Sequence, residues 1–227
     1  MRGEQNRNSR AVLWDMDGTL VDTAQYHWLA WEETMQAEGQ PITYEQFLTT
    51  FGQRNDVVLH GYFGPDLPEA EVARIAHFKE ARYRELVRSR GVTFLPGARE
   101  WLECLQAQGW RQALASSAPR ANVDTILEVL EAGWLFDAIV AGEDVQRGKP
   151  DPQVFLLAAQ AAGTPPERCV AVEDAPAGVE AARRAGMPVV GVLTSHESLS
   201  ADLVVRSLAE LPCDSFDRLL EGRGRRR

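Results

Sequence analysis

Hydrophobic positions along this chain fall into two textures. The first is a series of short apolar runs, at Ala11–Trp14, 111–115, 136–141, 169–172 and 189–193. Each is too short for a helix of its own and is bounded by Gly, Pro, Asp or Ser, the pattern of a buried strand. Between them lie stretches with helical spacing, at about 98–108, 119–130, 152–162 and 176–185, the first closed by Gly109. Strands alternating with helices in this way predict an α/β fold with a parallel sheet covered on both faces.

The second texture fills residues 24–90. AQYHWLAWEETMQAEG and EAEVARIAHFKEARYRELVRSRG are dominated by Glu, Ala, Arg and Leu, with few β-branched runs, and Gly39 and Gly91 stand where helix C-caps would fall. This block predicts a small all-helical domain inserted after the first strand. The expected division is a discontinuous core at 11–22 and 94–213, a helical cap at 23–93, and flexible tails at 1–10 and 222–227, the last being the basic GRGRRR.

Charge narrows the range of partners. The formal net charge is -9 and the isoelectric point about 5.0, which argues against a nucleic-acid partner. A site for an anionic substrate would need local positive charge from Lys, Arg or a metal ion. Cys104, Cys169 and Cys213 are widely spaced with no CxxC pair, so neither a zinc site nor a disulfide framework is expected. No apolar run approaches the roughly 20 residues of a membrane helix. MRGEQNRNSR is not followed by the apolar segment of a secretory signal. A cytoplasmic monomer without a membrane partner is the expectation.

The candidate chemistry sits where predicted strands end. Asp15 and Asp17 follow the first, Ser116 and Ser117 the second, Lys149 lies beyond the third, and Glu173 and Asp174 follow the fourth. In a parallel sheet these ends open on one edge, where ligands bind. Alone, each has an ordinary explanation: Asp-Gly marks turns, Ser-Ser and Asp-Ala-Pro cap helices, and Lys-Pro precedes them. Together they make a set suited to phosphoryl transfer. A phosphate ester repels an anionic nucleophile, and a divalent cation neutralises both. Mg²⁺ takes hard oxygen ligands, for which Asp15 and Asp174 are candidates, with the Asp17 backbone carbonyl a third. Lys149 can hold a phosphate oxygen and keep Asp15 anionic. Ser116 can donate to phosphate. Asp17, two residues from Asp15, can protonate the leaving oxygen and then activate water.

DMDGTLVDT, LASSA, GKPDPQVF and VAVEDAPAGVEAARRAGM together resemble the haloacid dehalogenase-like superfamily, and most of all its branch of phosphatases and β-phosphoglucomutases with a helical cap. The resemblance covers about residues 11–211. It implies a Rossmann-like core, a mobile cap, Mg²⁺ and an aspartyl-phosphate intermediate. It also implies Asp15 as nucleophile, Asp17 as general acid and base, Ser116 and Lys149 as phosphate ligands, Asp174 as a metal ligand, and Glu173 as its support, directly or through water. Expected substrate contacts are Thr19, His27, Gly52, Arg54, Asn55 and Ser117. His27 matches a histidine of the mutases, and FGQRND resembles the loop by which such caps reach substrate. Two departures favour a phosphatase: the spacing of Arg54 from Gly52, and Thr19 where the mutases carry a small apolar residue. The expected function is hydrolysis of a small phosphorylated metabolite, most simply a sugar phosphate. A hexose-phosphate mutase and a non-catalytic phosphate-binding module are the rivals.

Overall fold

The computed structural model describes residues 9–224, and side chains as far as 222. The expectations for 1–8 and 225–227 lie outside the described residues. Six strands, β1 (Ala11–Trp14), β2 (Arg111–Ala115), β3 (Ala138–Val140), β4 (Cys169–Glu173), β5 (Val189–Val192) and β6 (Leu203–Val205), form one parallel sheet in the order β3-β2-β1-β4-β5-β6. The order reverses between β1 and β4, the switch point at which a doubly wound sheet opens a crevice beyond its strand ends. The α/β, Rossmann-like expectation holds.

Side chains of successive strand residues point to opposite faces. Val12, Trp14, Leu114, Val170 and Val172 join one buried cluster, and Ala11, Leu13, Ala113, Ala115 and Ala171 the other. Both faces are dry, so the strands read as continuous apolar runs rather than alternating ones. The alanine-rich face lets α7 (Gln153–Ala161) and α8 (Pro176–Arg184) approach closely. The other face carries α5 (Ala98–Ala107), α6 (Arg120–Leu130) and α9 (Ser215–Gly224).

The inserted block forms α1 (Ala24–Ala37), α2 (Tyr44–Thr50), α3 (Asn55–Phe63) and α4 (Glu69–Arg90). Trp31, Met35, Phe47, Leu59 and Ile75 make a third cluster of its own. The two connections to the sheet pair with each other, through an antiparallel bridge between Val21 and Phe94 and a bond from Leu95 N to Leu20 O at 2.8 Å. The separation from the core is incomplete, because Ala30, Tyr83, Leu86 and Val87 are buried in the core cluster.

Three features depart from the expected elements. β6 and α9 were not foreseen: β6 is an edge strand whose apolar run is only three residues long, and α9 starts between the expected core and the expected tail and runs into the latter. Phe216 of α9 packs edge-on against Trp101 and Trp110 and near Trp14, so this helix completes the core, and residues 222–224 are helical rather than tail. Arg10, placed in the flexible start, is held by Asp217 and stacks over Trp110 at 4.5 Å. No helix among the described residues is long and apolar enough to cross a membrane.

Candidate active site

Strand register brings the acidic residues together. Trp14 lies opposite Val172 on β4, so Asp15 emerges level with Glu173, and its backbone N–H donates to Val172 O at 3.0 Å. The chain then turns sharply at Gly18. Here φ is +85°, and a Cβ would lie 2.1 Å from Asp174 Oδ2 and 2.8 Å from Ser195 Oγ, so only glycine fits. The third strand end contributes Lys149, whose Nζ donates to Asp15 Oδ1 at 2.6 Å and to Glu173 Oε1 at 2.5 Å. Glu173 is fully engaged, since its Oε2 also accepts from Asp174 N and Ala175 N at 3.1 and 3.2 Å. α8 passes so close that a Cβ on Gly178 would lie 1.8 Å from Glu173 Oε1.

Carboxylate oxygens of Asp15, Glu173 and Asp174 lie within 4.8 Å of one another, and all three residues are buried. One ammonium faces three carboxylates. Burial pushes the Asp15 carboxyl well up, against the pull of Lys149 and with the charges of Glu173 and Asp174 adding to the rise. Burial and the charge of Glu173 push Asp174 up to about 7. A buried, hard-oxygen cluster with excess negative charge fits a divalent cation of the Mg²⁺ type.

Asp17 belongs to a different environment. Its carboxylate is not part of that cluster, which leaves its backbone carbonyl as the atom to consider for a metal. Oδ1 accepts from the Thr23 hydroxyl and, at 3.5 Å, from Tyr83 OH, and His27 Nε2 lies 3.8 Å away. Lys79 Nζ donates to His27 Nδ1 at 2.9 Å. Lysine has only donors, so Nδ1 is the acceptor and the imidazole proton sits on Nε2, facing Asp17. Burial and the nearby Lys79 charge hold His27 below its ordinary range. Burial acts to raise Asp17, but His27, Thr23 and Lys79 outweigh it and leave the carboxyl lowered.

The expected residues divide accordingly. Asp15, Lys149, Glu173 and Asp174 meet at one point. Ser116 is also at the edge and 1% exposed; its Oγ accepts from Ala118 N at 3.0 Å, and its proton is donated to no group among the described residues. Ser117 follows it, half-buried. Gly52, with φ +83°, turns the chain between α2 and α3, and Arg54 reaches from that turn to the loop before Lys149, since a Cβ on Gly148 would lie 3.3 Å from Arg54 Cδ.

Three expected substrate contacts have partners within the protein. Thr19 is completely buried, with Oγ1 3.4 Å from Asp174 Oδ1, so it supports the acidic cluster instead of facing the cleft. His27 stacks on Tyr83 with ring centroids 4.2 Å apart and serves Asp17. Asn55 Nδ2 is turned inward to Glu80 Oε1 at 2.8 Å. Thr23, Lys79, Glu80 and Tyr83 were given no site role by the sequence. Lys79 is 2% exposed and Glu80 7%. No local signal marked them, because which side of α4 is buried is set only by its packing against α1 and α6.

The family model for haloacid dehalogenase-like hydrolases matches residues 9–186. Beta-phosphoglucomutase of Bacillus subtilis (strain 168) is 34% identical over 208 residues, covering 89% of this chain and 91% of that protein. Hexitol phosphatase A of Escherichia coli (strain K12) is 33% identical over 207 residues, covering 89% and 93%. The crystal structure of CbbY from Rhodobacter sphaeroides in complex with phosphate superposes with a TM-score of 0.82 at 30% identity, covering 92% of this chain and 99% of that one. With the strand-end residues above in place, this chain belongs to the haloacid dehalogenase-like hydrolase family.

Proposed function

We propose that the protein is a phosphatase of small phosphorylated carbohydrates that takes the phosphoryl group onto Asp15. The observation that carries this reading is the meeting of Asp15, Lys149, Glu173 and Asp174 beside a second carboxylate, Asp17, held apart from them by its own donors. Asp15, Asp174 and the Asp17 carbonyl would hold Mg²⁺, with Glu173 behind them. The cation, when bound, supplies charge neutralisation to the phosphate and its attacking oxygen.

The residues divide the work. Lys149 and the Ser116 hydroxyl bind and orient phosphate oxygens. Asp15 attacks phosphorus as the ester P–O bond breaks, and the leaving oxygen takes a proton from Asp17. Water then attacks the phosphorus of the aspartyl phosphate, giving its proton to Asp17, and Asp15 is regenerated as phosphate departs. Thr23, Tyr83 and His27 all face Oδ1 of Asp17, leaving Oδ2 to carry the proton. The cap covers the leaving-group side and excludes water until departure.

Hydrolysis is favoured over a mutase by the supply of cations. A mutase must grip a second phosphate, and Lys79 cannot reach one: it is committed to Glu80 at 2.8 Å and to His27. Arg120 is tied to Asp144 at 2.7 Å. Arg54 is paired with Asp56 at 3.1 Å and lies against the phosphate-side loop.

The test is a Mg²⁺-supplemented screen over hexitol phosphates, hexose phosphates, phosphoglycolate and β-glucose 1-phosphate, the last with a trace of the 1,6-bisphosphate. Free phosphate and glucose 6-phosphate are followed together. Phosphate release from a hexitol or hexose phosphate is expected. Glucose 6-phosphate formed about a hundredfold faster than phosphate, a barrier difference of about 2.7 kcal/mol, would reverse the ranking.

A further inference from the structure

Glu80 is a buried carboxylate that the phosphoryl chemistry does not touch, yet its oxygens are met from several sides. Lys79 Nζ and Asn55 Nδ2 each donate to Oε1 at 2.8 Å. Oε2 accepts from Asn122 Nδ2 at 2.5 Å. Asn122 lies on the core helix α6 and is completely buried, and its Oδ1 in turn accepts from Arg84 Nη1 at 2.9 Å.

Glu80 and Arg84 are four residues apart, one above the other on a single face of α4. One amide of the core therefore clamps one turn of the cap, donating to the upper residue and accepting from the lower. Only a side chain with both functions satisfies both partners. An aspartate would set a second carboxylate against Glu80, and an aliphatic residue would strand a buried charge.

The effect of the clamp runs toward the cleft. Glu80 fixes the ammonium of Lys79, which also lies over the rings of Trp31 and Tyr83 at 5.3 and 5.6 Å. Lys79 fixes the tautomer of His27, and His27 faces Asp17. Glu80 also fastens Asn55, at the start of α3 and next to Arg54. We infer that Asn122 is a positioning residue for the proton transfer: by binding Glu80 across the junction of cap and core, it holds the line Lys79–His27–Asp17 in register only while α4 is docked on α6. The inference rests on the reading of Asp17 as general acid and base.

The test compares two phosphate esters in the Asn122→Ala protein with Mg²⁺ present. Glycerol 2-phosphate leaves as an alkoxide and needs a proton, whereas 4-nitrophenyl phosphate leaves as a stable phenolate. kcat/KM reports the steps through the first P–O cleavage. It should fall by about tenfold to a hundredfold for the alkyl ester and by less than about threefold for the activated one, a part of the roughly 10²- to 10⁴-fold that a general acid contributes. Glu80→Gln keeps the shape but removes the charge opposite Lys79, and the same selective loss is expected should the alanine variant fold poorly. Equal losses on both esters, or none, would make Asn122 merely structural and overturn the inference. Asp17→Asn is the control: if it too loses both esters equally, the acid assignment itself fails. The ¹⁵N spectrum of the His27 ring is independent of turnover. It should show Nδ1 as acceptor and Nε2 protonated in the wild type and a mixture in Asn122→Ala; an unmoved spectrum overturns the inference whatever the rates.

Discussion

Asp15 and Asp17 stand two residues apart and are both withdrawn from water, yet their surroundings act on them in opposite directions. Around Asp15, three carboxylates share the single ammonium of Lys149. Burial prevails there, raising Asp15 and carrying Asp174 up to about 7. Around Asp17, each carboxylate has its own cation or donors. Burial alone would raise Glu80, but Lys79 first, then His27 and Asn122, bring it down to about 2. Asp17 is lowered as well. The contrast teaches that burial does not decide a carboxyl group's proton affinity; the local balance of charge does. The first group is left with excess negative charge, which suits the proposed metal site, and the second is balanced, which suits the proposed proton transfer.

The largest way to break the contrast is to remove the proposed nucleophile. Asp15→Asn is nearly isosteric and relieves like-charge repulsion, so the protein should stay folded while kcat falls by about 10⁴-fold or more. Single-turnover kinetics with circular dichroism on the same sample checks both halves. A variant retaining a tenth of the wild-type rate, a loss of only about 1.4 kcal/mol in barrier, would remove Asp15 from that role.

Lys79→Met strikes the balanced group. It leaves Glu80 buried without its cation, a loss of about 3–5 kcal/mol in urea denaturation at neutral pH. Lowering the pH should recover part of it. In the wild type, the folded-state value of about 2 lies below the ordinary 4.5, so the stability from Glu80 is present above about 4.5 and is lost as pH falls through about 2. Without Lys79 that dependence should vanish or reverse.

The unbalanced group should respond with the opposite sign. Asp174 is raised from 3.8 to about 7, so its contribution in the metal-free protein is present below about 3.8 and is lost as pH rises through about 7. The proposed Mg²⁺ would select the ionised carboxylates, so the stabilisation it confers should grow between about pH 6 and about pH 8, reaching about 2.7 kcal/mol at a hundred times its Kd. Thermal denaturation at several pH values with Mg²⁺ or chelator measures it. A metal effect independent of pH would contradict the charge imbalance.

The smallest change sharpens the contrast. Thr23→Val removes a buried hydroxyl that donates to Asp17 Oδ1. Losing a donor to the carboxylate raises its pKa. A ¹³C titration of the Asp17 carboxyl would show the upward shift, and a downward one would mean that Thr23 does not stabilise the anion.

How legible these two regions were in the sequence follows from how each is built. The core strands announced themselves because strands buried on both faces need unbroken apolar runs, and the residue following each run falls on one edge of a parallel sheet. Asp15, Lys149, Glu173 and Asp174 could thus be grouped before any distance was known. β6 and α9 escaped because an edge strand of three residues and a helix anchored mainly by Phe216 carry too little pattern. In the cap, helix propensity marked the block as helical but not which faces are buried. HFKEARYREL contains as many charges as a solvated helix, and nothing local distinguishes Lys79 and Glu80 from Arg82 and Glu85, which do pair at the surface.

By itself, then, the sequence determined the parallel α/β core, the helical insertion and the strand-end residues, because each depends on periodicity or on position after an apolar run, both local properties. The tertiary structure alone decided that Thr19 lies beneath Asp174, that Asn55 turns to Glu80, and that one amide on α6 binds two residues of α4. These are contacts between side chains far apart in the chain. What selects them is the cost of burying a polar group without a partner, a condition that can be met only when helices from cap and core have been brought face to face.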